Sequence, residues 1–236
     1  MITNETVVID FGSWVGPTVL FAAKFAQRVI AIEADPLIFQ LLNRNINLNP
    51  ELRPKIQSLF MCISTKEEEV QMSHVAGGMS TVLYRKIQND NTGTFTPCTS
   101  LLSMLHANVF DLFSDHHNKS ESLHKDLRIP LFIKVDVEGF EAEIVPQWAE
   151  WVPALKPVLF LSMHQHLRNF TQDEKVGIAN TLNLFPYVLA IIRVTKEGSI
   201  IEATKIFDVR PTAENLCKVC DYVCAYFDFR HTILQP

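Results

Sequence analysis

VVIDFGSWVGPTVLFA, residues 7–22, opens on a short β-branched run, turns through two glycines and continues apolar. Val7, Val8 and Ile9 have the unbroken apolarity of a strand buried on both faces, and Asp10 ends that run with an acid. Gly12 and Gly16 punctuate the turn, with Trp14 between them. Pro17 stands where a helix start loses nothing by lacking an N–H. Leu20, Phe21, Ala23 and Phe25 then predict a helix with little polar surface.

The same alternation continues downstream. RVIAIEADP (28–36) predicts a second strand ending at Glu33, and Asp35 followed by Pro36 is a cap and first-turn pair for the next helix. That helix carries Leu37, Ile38, Leu41, Leu42 and Ile46 on helical spacing. IQSLFMCIS (56–64) reads as a third strand. Residues 65–97 are less regular, with a turn at Gly77-Gly78, and TSLLSMLHANVFDLF (99–113) predicts an amphipathic helix. Residues 114–128 are polar and are expected to form a disordered surface loop. PLFIKVDVEGFE (130–141) gives a buried strand ending in acids, and PVLFLSMH (157–164) gives the strand after it. Thr171 and Glu174 have capping-box spacing for a further helix. YVLAIIRVT (187–195), a turn at 196–199 and CDYVCAYFDF (220–229) place late strands close in sequence, the mark of an antiparallel edge. Strand alternating with helix predicts an α/β fold, an open and mostly parallel sheet covered on both faces.

Bulk composition agrees. The chain has 236 residues, of which 47% are hydrophobic, enough for one α/β domain over residues 1–236. Its net charge of −5 speaks against a generic nucleic-acid binder, so no nucleic-acid partner is expected. No apolar run reaches the ~20 residues that span a bilayer, and MITNETVV (1–8) is not a basic-then-apolar leader. Five cysteines, an odd count, read as reduced thiols, which points to a cytoplasmic location. The first strand begins so early that an anchor or domain upstream of this chain would place it in the secretory pathway instead.

Ligands of open α/β sheets lie outside the carboxyl ends of the strands. Asp10, Glu33 and the pair Asp136/Glu138 are acids at three such ends. Glu33 follows Gly12 by about 20 residues, the usual offset for an acid that binds ribose hydroxyls. A pyrophosphate needs close backbone approach at the second glycine of G-x-G-x-x-G, and Trp14 occupies that place. A phosphate-free nucleoside with a positive tail suits the turn better, and S-adenosylmethionine is such a cofactor. A nicotinamide dehydrogenase is correspondingly disfavoured. The plainer alternative is that both glycines only tighten a strand-to-helix turn.

In order, VVIDFGSWVG, RVIAIEADP, NRNINLN, TSLL and FIKVDVEGFE resemble the FkbM-type S-adenosylmethionine-dependent methyltransferases over Val7 to His164. The motif residues here are Asp10, Gly12 and Gly16; Glu33, Asp35 and Pro36; Asn45, Asn47 and Asn49; Thr99; and Lys134, Asp136, Glu138, Gly139 and Glu141. The resemblance implies a Rossmann-like class I fold: a seven-stranded, mostly parallel sheet with an antiparallel edge, in three α/β/α layers. It implies that Asp10, Gly12, Ser13 and Gly16 line the methionine end of the cofactor. Glu33, with Ala34 beside it, would bind the ribose, and Ser64 would lie near the adenine. Asp136 and Glu138 would face the acceptor hydroxyl or the cofactor amine. The substrate class it implies is a hydroxyl on a sugar, glycan or small metabolite.

An alcohol is a weak nucleophile at neutral pH, so a base or a metal is needed. His164, just past a buried strand, is the preferred base and Glu138 the alternative, against a histidine merely packed at a strand end. Asp136, Glu138 and His164 together have the donor types of a divalent-cation site, but metal-free catalysis is the expectation and no metal ligand is assigned. Cys217, Cys220 and Cys224 lack a second C-x-x-C and read as core, and His116, His117 and His124 read as loop residues. Trp14, Pro146 and Ser162 depart from the family pattern and motivate a second reading, a methyltransferase-fold module that binds without turnover.

Overall fold

The computed structural model describes residues 2–72, 94–109, 130–164, 169–194, 203–216 and 221–225. The expected loop at 114–128 with its three histidines, the turns at 77–78 and 196–199, and Cys217 and Cys220 lie outside these residues. The chain forms two compact units, Met1–Leu131 and Phe132–Pro236.

In the first unit, β1 (Val7–Phe11), α1 (Pro17–Ala23), β2 (Arg28–Glu33), α2 (Pro36–Asn47) and β3 (Ile56–Phe60) alternate as the sequence predicts. β1 pairs with β2 and β2 with β3, both in parallel, with Val7 opposite Arg28 and Val29 opposite Ile56. Every residue of β1 is buried, as an interior strand requires. Asp35 caps α2 by accepting from the backbone N–H groups of Leu37 (2.8 Å) and Ile38 (3.0 Å), which satisfies two of the donors a helix start leaves open.

The third predicted strand breaks in two. β3 stays with β2, whereas β4 (Cys62–Ser64) leaves to join β5 (Glu68–Met72) and β6 (Thr94–Ser100) in a small second sheet of order β4-β6-β5. The reading of 65–97 as less regular is corrected at 68–72 and 94–97, which are strand; β6 also takes Thr99 and Ser100 from the predicted helix, leaving α3 as Leu101–Asn108. Its partners are far away in sequence, so no local pattern announced it. Pairing of β4 with β6 sets Cys62 opposite Cys98, and the two form a disulfide with Cα atoms 4.4 Å apart. The reading of five reduced thiols therefore fails at these two positions. Cys224 is a free, wholly buried thiol whose pKa burial drives upward, in line with a packing role.

In the second unit, β7 (Leu131–Val135) pairs in parallel with β8 (Val158–Ser162). Between them the chain makes α4 (Glu141–Ile144), a 3-10 segment Val145–Glu150 and α5 (Val152–Leu155). Pro146 is where the α-helix stops after one turn, since proline at that place removes an N–H. α6 (Gln172–Leu182) opens on the predicted capping box: Thr171 N–H donates to the Glu174 carboxylate (2.7 Å) and Glu174 N–H to Thr171 Oγ1 (3.3 Å). β9 (Tyr187–Val194) and β10 (Ala203–Asp208) pair antiparallel, and β11 (Asp221–Ala225) is inserted antiparallel between β8 and β9. The antiparallel edge expected from the late strands is thus present, with β10 outermost.

Candidate functional site

Each unit gathers its own set of acids at a strand end. In the first, β1 delivers Asp10, which is almost fully buried and accepts a hydrogen bond from Thr18 Oγ1 at the start of α1. Ser13 Oγ donates to the Asp10 carbonyl (2.9 Å), and the N–H groups of Gly12 and Ser13 both donate to the Ile32 carbonyl (3.0 Å each). The turn is therefore stitched to the last residues of β2. Gly16 has φ +94°, a backbone that side chains rarely adopt, and a Cβ there would meet the tip of Leu42, Cδ1, at 2.7 Å. Asn45 Nδ2 donates to the Val15 carbonyl (2.8 Å) and fixes the turn from the α2 side.

Glu33 is the centre of this arrangement. Its Oε2 accepts from Trp14 N–H and its Oε1 from Asp35 N–H, both at 2.8 Å. Burial pushes the Glu33 carboxyl above its ordinary pKa, and these two hydrogen bonds oppose the shift without cancelling it. Trp14 takes a left-handed backbone (φ +50°), uncommon for a bulky residue, and the residue is 42% exposed. Trp14 thus acts on the site through its backbone N–H. Thr96 Oγ1 donates to the Ala34 carbonyl (2.7 Å), and Ser64, largely buried, bonds through its hydroxyl to Glu68. Asp10, Gly12, Ser13, Gly16, Glu33, Ala34 and Ser64 all belong to this unit.

Asp136 belongs with the second set. Just past β7, Glu138 and Gly139 are both left-handed (φ +53° and +103°), a reversal that leads directly into α4. His164, two residues beyond β8, meets this turn. Its Nδ1 lies 2.8 Å from Glu141 Oε1 and its Nε2 3.6 Å from Asp136 Oδ1, while Lys134 Nζ lies 3.3 Å from Asp136 Oδ2. Burial lowers the His164 pKa, but the bond to Glu141 and the charges of Glu141, Glu138 and Asp136 outweigh it, so the net shift is upward. Burial likewise raises Glu138, helped by Asp136 and Glu141 and opposed by His164 and Lys134. Asp136, Glu138 and His164 each place a donor atom within 4.8 Å of the others.

Sequence reasoning named these three residues and left Glu141 without a role. Glu141 is fully buried and orients the histidine; the signal was its place on the first turn of α4, facing a later strand. Thr18 and Asn45 were likewise unassigned. Ser162 Oγ donates to Asp221 Oδ1 (2.7 Å), so β11 supplies an acid beside the end of β8.

No family model and no curated protein matches this chain. Solved structures do. The chain is similar to methyltransferase FkbM from Methylobacillus flagellatus KT (15% identity, TM-score 0.52), with 94% of this chain and 44% of that one covered. It is also similar to precorrin-6y C5,15-methyltransferase from Geobacter metallireducens GS-15 (13%, TM-score 0.41, 94% and 81% covered). A third is tRNA (m1A58) methyltransferase TrmI from Aquifex aeolicus (10%, TM-score 0.40, 96% and 64% covered). The chain spans less than half the length of the FkbM protein. With its alternating parallel strands and inserted antiparallel strand, the chain has the Rossmann-like fold of the class I methyltransferases.

Proposed function

We propose that this chain is an S-adenosylmethionine-dependent methyltransferase of the FkbM type that methylates a hydroxyl on a sugar, glycan or small metabolite. The observation that carries the reading is Glu33: a buried carboxylate at the end of β2, held by the N–H groups of Trp14 and Asp35 beside the turn that Asp10 opens. The donor set fits that cofactor. The Glu33 carboxylate accepts from the backbone of Trp14 and Asp35, with Ala34 also stabilising it, and its two oxygens have further lone pairs for a ribose hydroxyl, while a second buried carboxylate complements a positive tail. Glu33 and Ala34 would hold the ribose edge, Asp10, Gly12, Ser13 and Gly16 the amino-acid end, and Ser64 the adenine edge. When bound, S-adenosylmethionine supplies a methyl group on a positively charged sulfur.

On the acceptor side, His164 is the base. Glu141 accepts from Nδ1–H, which leaves the Nε2 lone pair to take the proton of the acceptor hydroxyl. The buried Glu141 carboxylate then stabilises the imidazolium, and Asp136 and Glu138 orient the hydroxyl. The net charge of −5 favours a small or glycan acceptor over nucleic acid. Among the described residues no helix is long and apolar enough to cross a membrane. The Cys62–Cys98 bond removes the main support for a cytoplasmic location and favours the secretory alternative.

Titrating the chain with S-adenosylmethionine by calorimetry, then assaying methyl transfer across a panel of hydroxyl compounds, tests the proposal. Absence of binding heat removes the enzyme reading. Binding without product supports the non-catalytic module, which the left-handed Trp14 and the α4 helix cut short at Pro146 favour.

A further inference from the structure

The geometry points to a divalent-cation site made by Asp136, Glu138 and His164, with Glu141 as the carboxylate that orients the histidine. The three donor atoms lie within 4.8 Å of one another. Ligands ~2.1–2.2 Å from one ion lie at most about 4.4 Å apart, so small side-chain rotations close the set. Two carboxylate oxygens and one imidazole are donors that Mn2+ accepts readily.

Glu141 supplies an independent observation. It is fully buried, its Oε1 lies 2.8 Å from His164 Nδ1, and its Oε2 has no hydrogen-bond partner among the described residues. A bond from Nδ1–H to Glu141 fixes the tautomer that turns the Nε2 lone pair toward Asp136. This carboxylate–histidine pair is the usual support of a metal-bound imidazole. Among the described residues, Lys134 and His164 pair with Asp136 and Glu141, and no ion pair reaches Glu138. A buried carboxylate in such surroundings is costly unless a cation stands nearby.

Toward the reaction a cation here has one role: it would take the His164 Nε2 that otherwise accepts the acceptor's proton, so a bound ion and the base compete for one atom. That role rests on the methyl-transfer reading above; the binding of the cation does not.

The probe is Mn2+ alone, titrated into the full chain without other ligands and followed by electron paramagnetic resonance. One ion per chain binding below about 1 mM, with a nitrogen coupling from an imidazole, is expected. Asp136→Asn and His164→Gln should each weaken binding more than tenfold, and Glu141→Gln by about ten- to a hundredfold. In the unmodified chain, selective broadening of the His164 imidazole resonances by Mn2+ gives the same answer without a variant. Absence of binding at about 1 mM, no nitrogen coupling, or broadening of other histidines only overturns the proposal. Cofactor binding is read separately by calorimetry. Loss of Mn2+ binding with cofactor binding intact removes only the cation; the reverse removes the methyl-transfer reading and leaves the cation site.

Discussion

Glu33 and Glu141 are both buried glutamates, but they were unequally visible before the structure. Glu33 announced itself by its distance from Gly12 and its place at a strand end. Glu141 sits in a motif of several acids, and only the approach of His164 from the next strand shows which one touches the imidazole. Replacing Glu33 by Ala removes the ribose acceptor and orphans the N–H groups of Trp14 and Asp35. Calorimetry should show affinity for S-adenosylmethionine falling at least about tenfold, which is ~1.4 kcal/mol. The second glutamate predicts a pH effect. With His164 raised above 6.5, a reaction that needs it unprotonated should gain rate on an acid limb lying above that value. In Glu141→Gln the largest upward contribution disappears, so the limb should move to lower pH while the maximal rate falls. A profile of kcat/KM against pH measures both, and an unmoved limb would show that His164 is not the titrating base.

At the scale of elements, local chemistry was legible and long-range pairing was not. Asp35-Pro36 and Thr171 with Glu174 each specify a helix start within four residues, and both caps form as read. The departure of β4 into a second sheet depends on β6, more than thirty residues later, and no periodicity in 56–64 encodes it. The strand-to-helix turn at Gly16 lies between these cases: the sequence showed a glycine, and the structure shows the backbone angle that favours it. Alanine at Gly16 would be held at φ +94°, and the tip of Leu42 would have to shift from its 2.7 Å approach. Gly16→Ala should therefore cost about 1–3 kcal/mol in urea denaturation, more than the same change at an open turn. Because Leu42 is on α2 and Asn45 of that helix grips Val15, the variant should weaken cofactor binding too.

For the molecule as a whole, the alternation of strand and helix made the fold class legible, while the covalent framework stayed hidden. An odd cysteine count reads as thiols, and only the β4–β6 pairing reveals the bridge. The loop it closes has a sequence separation of 36, for which chain-entropy arguments assign about 3–4 kcal/mol of stabilisation. A Cys62→Ser, Cys98→Ser double variant should unfold at clearly lower denaturant than the oxidised chain, and equal midpoints would show that the bond contributes nothing. The pair packs against Ala34, so reduction should also loosen the segment beside Glu33. One more consequence belongs to the intact chain. Of its three tryptophans, Trp148 is buried, whereas Trp14 is an exposed residue whose own amide holds the Glu33 carboxylate. Ultraviolet-excited emission therefore carries a built-in optical gauge: adding nucleoside should shift the red part of the spectrum, and exchanging Trp14 for Phe should silence that response.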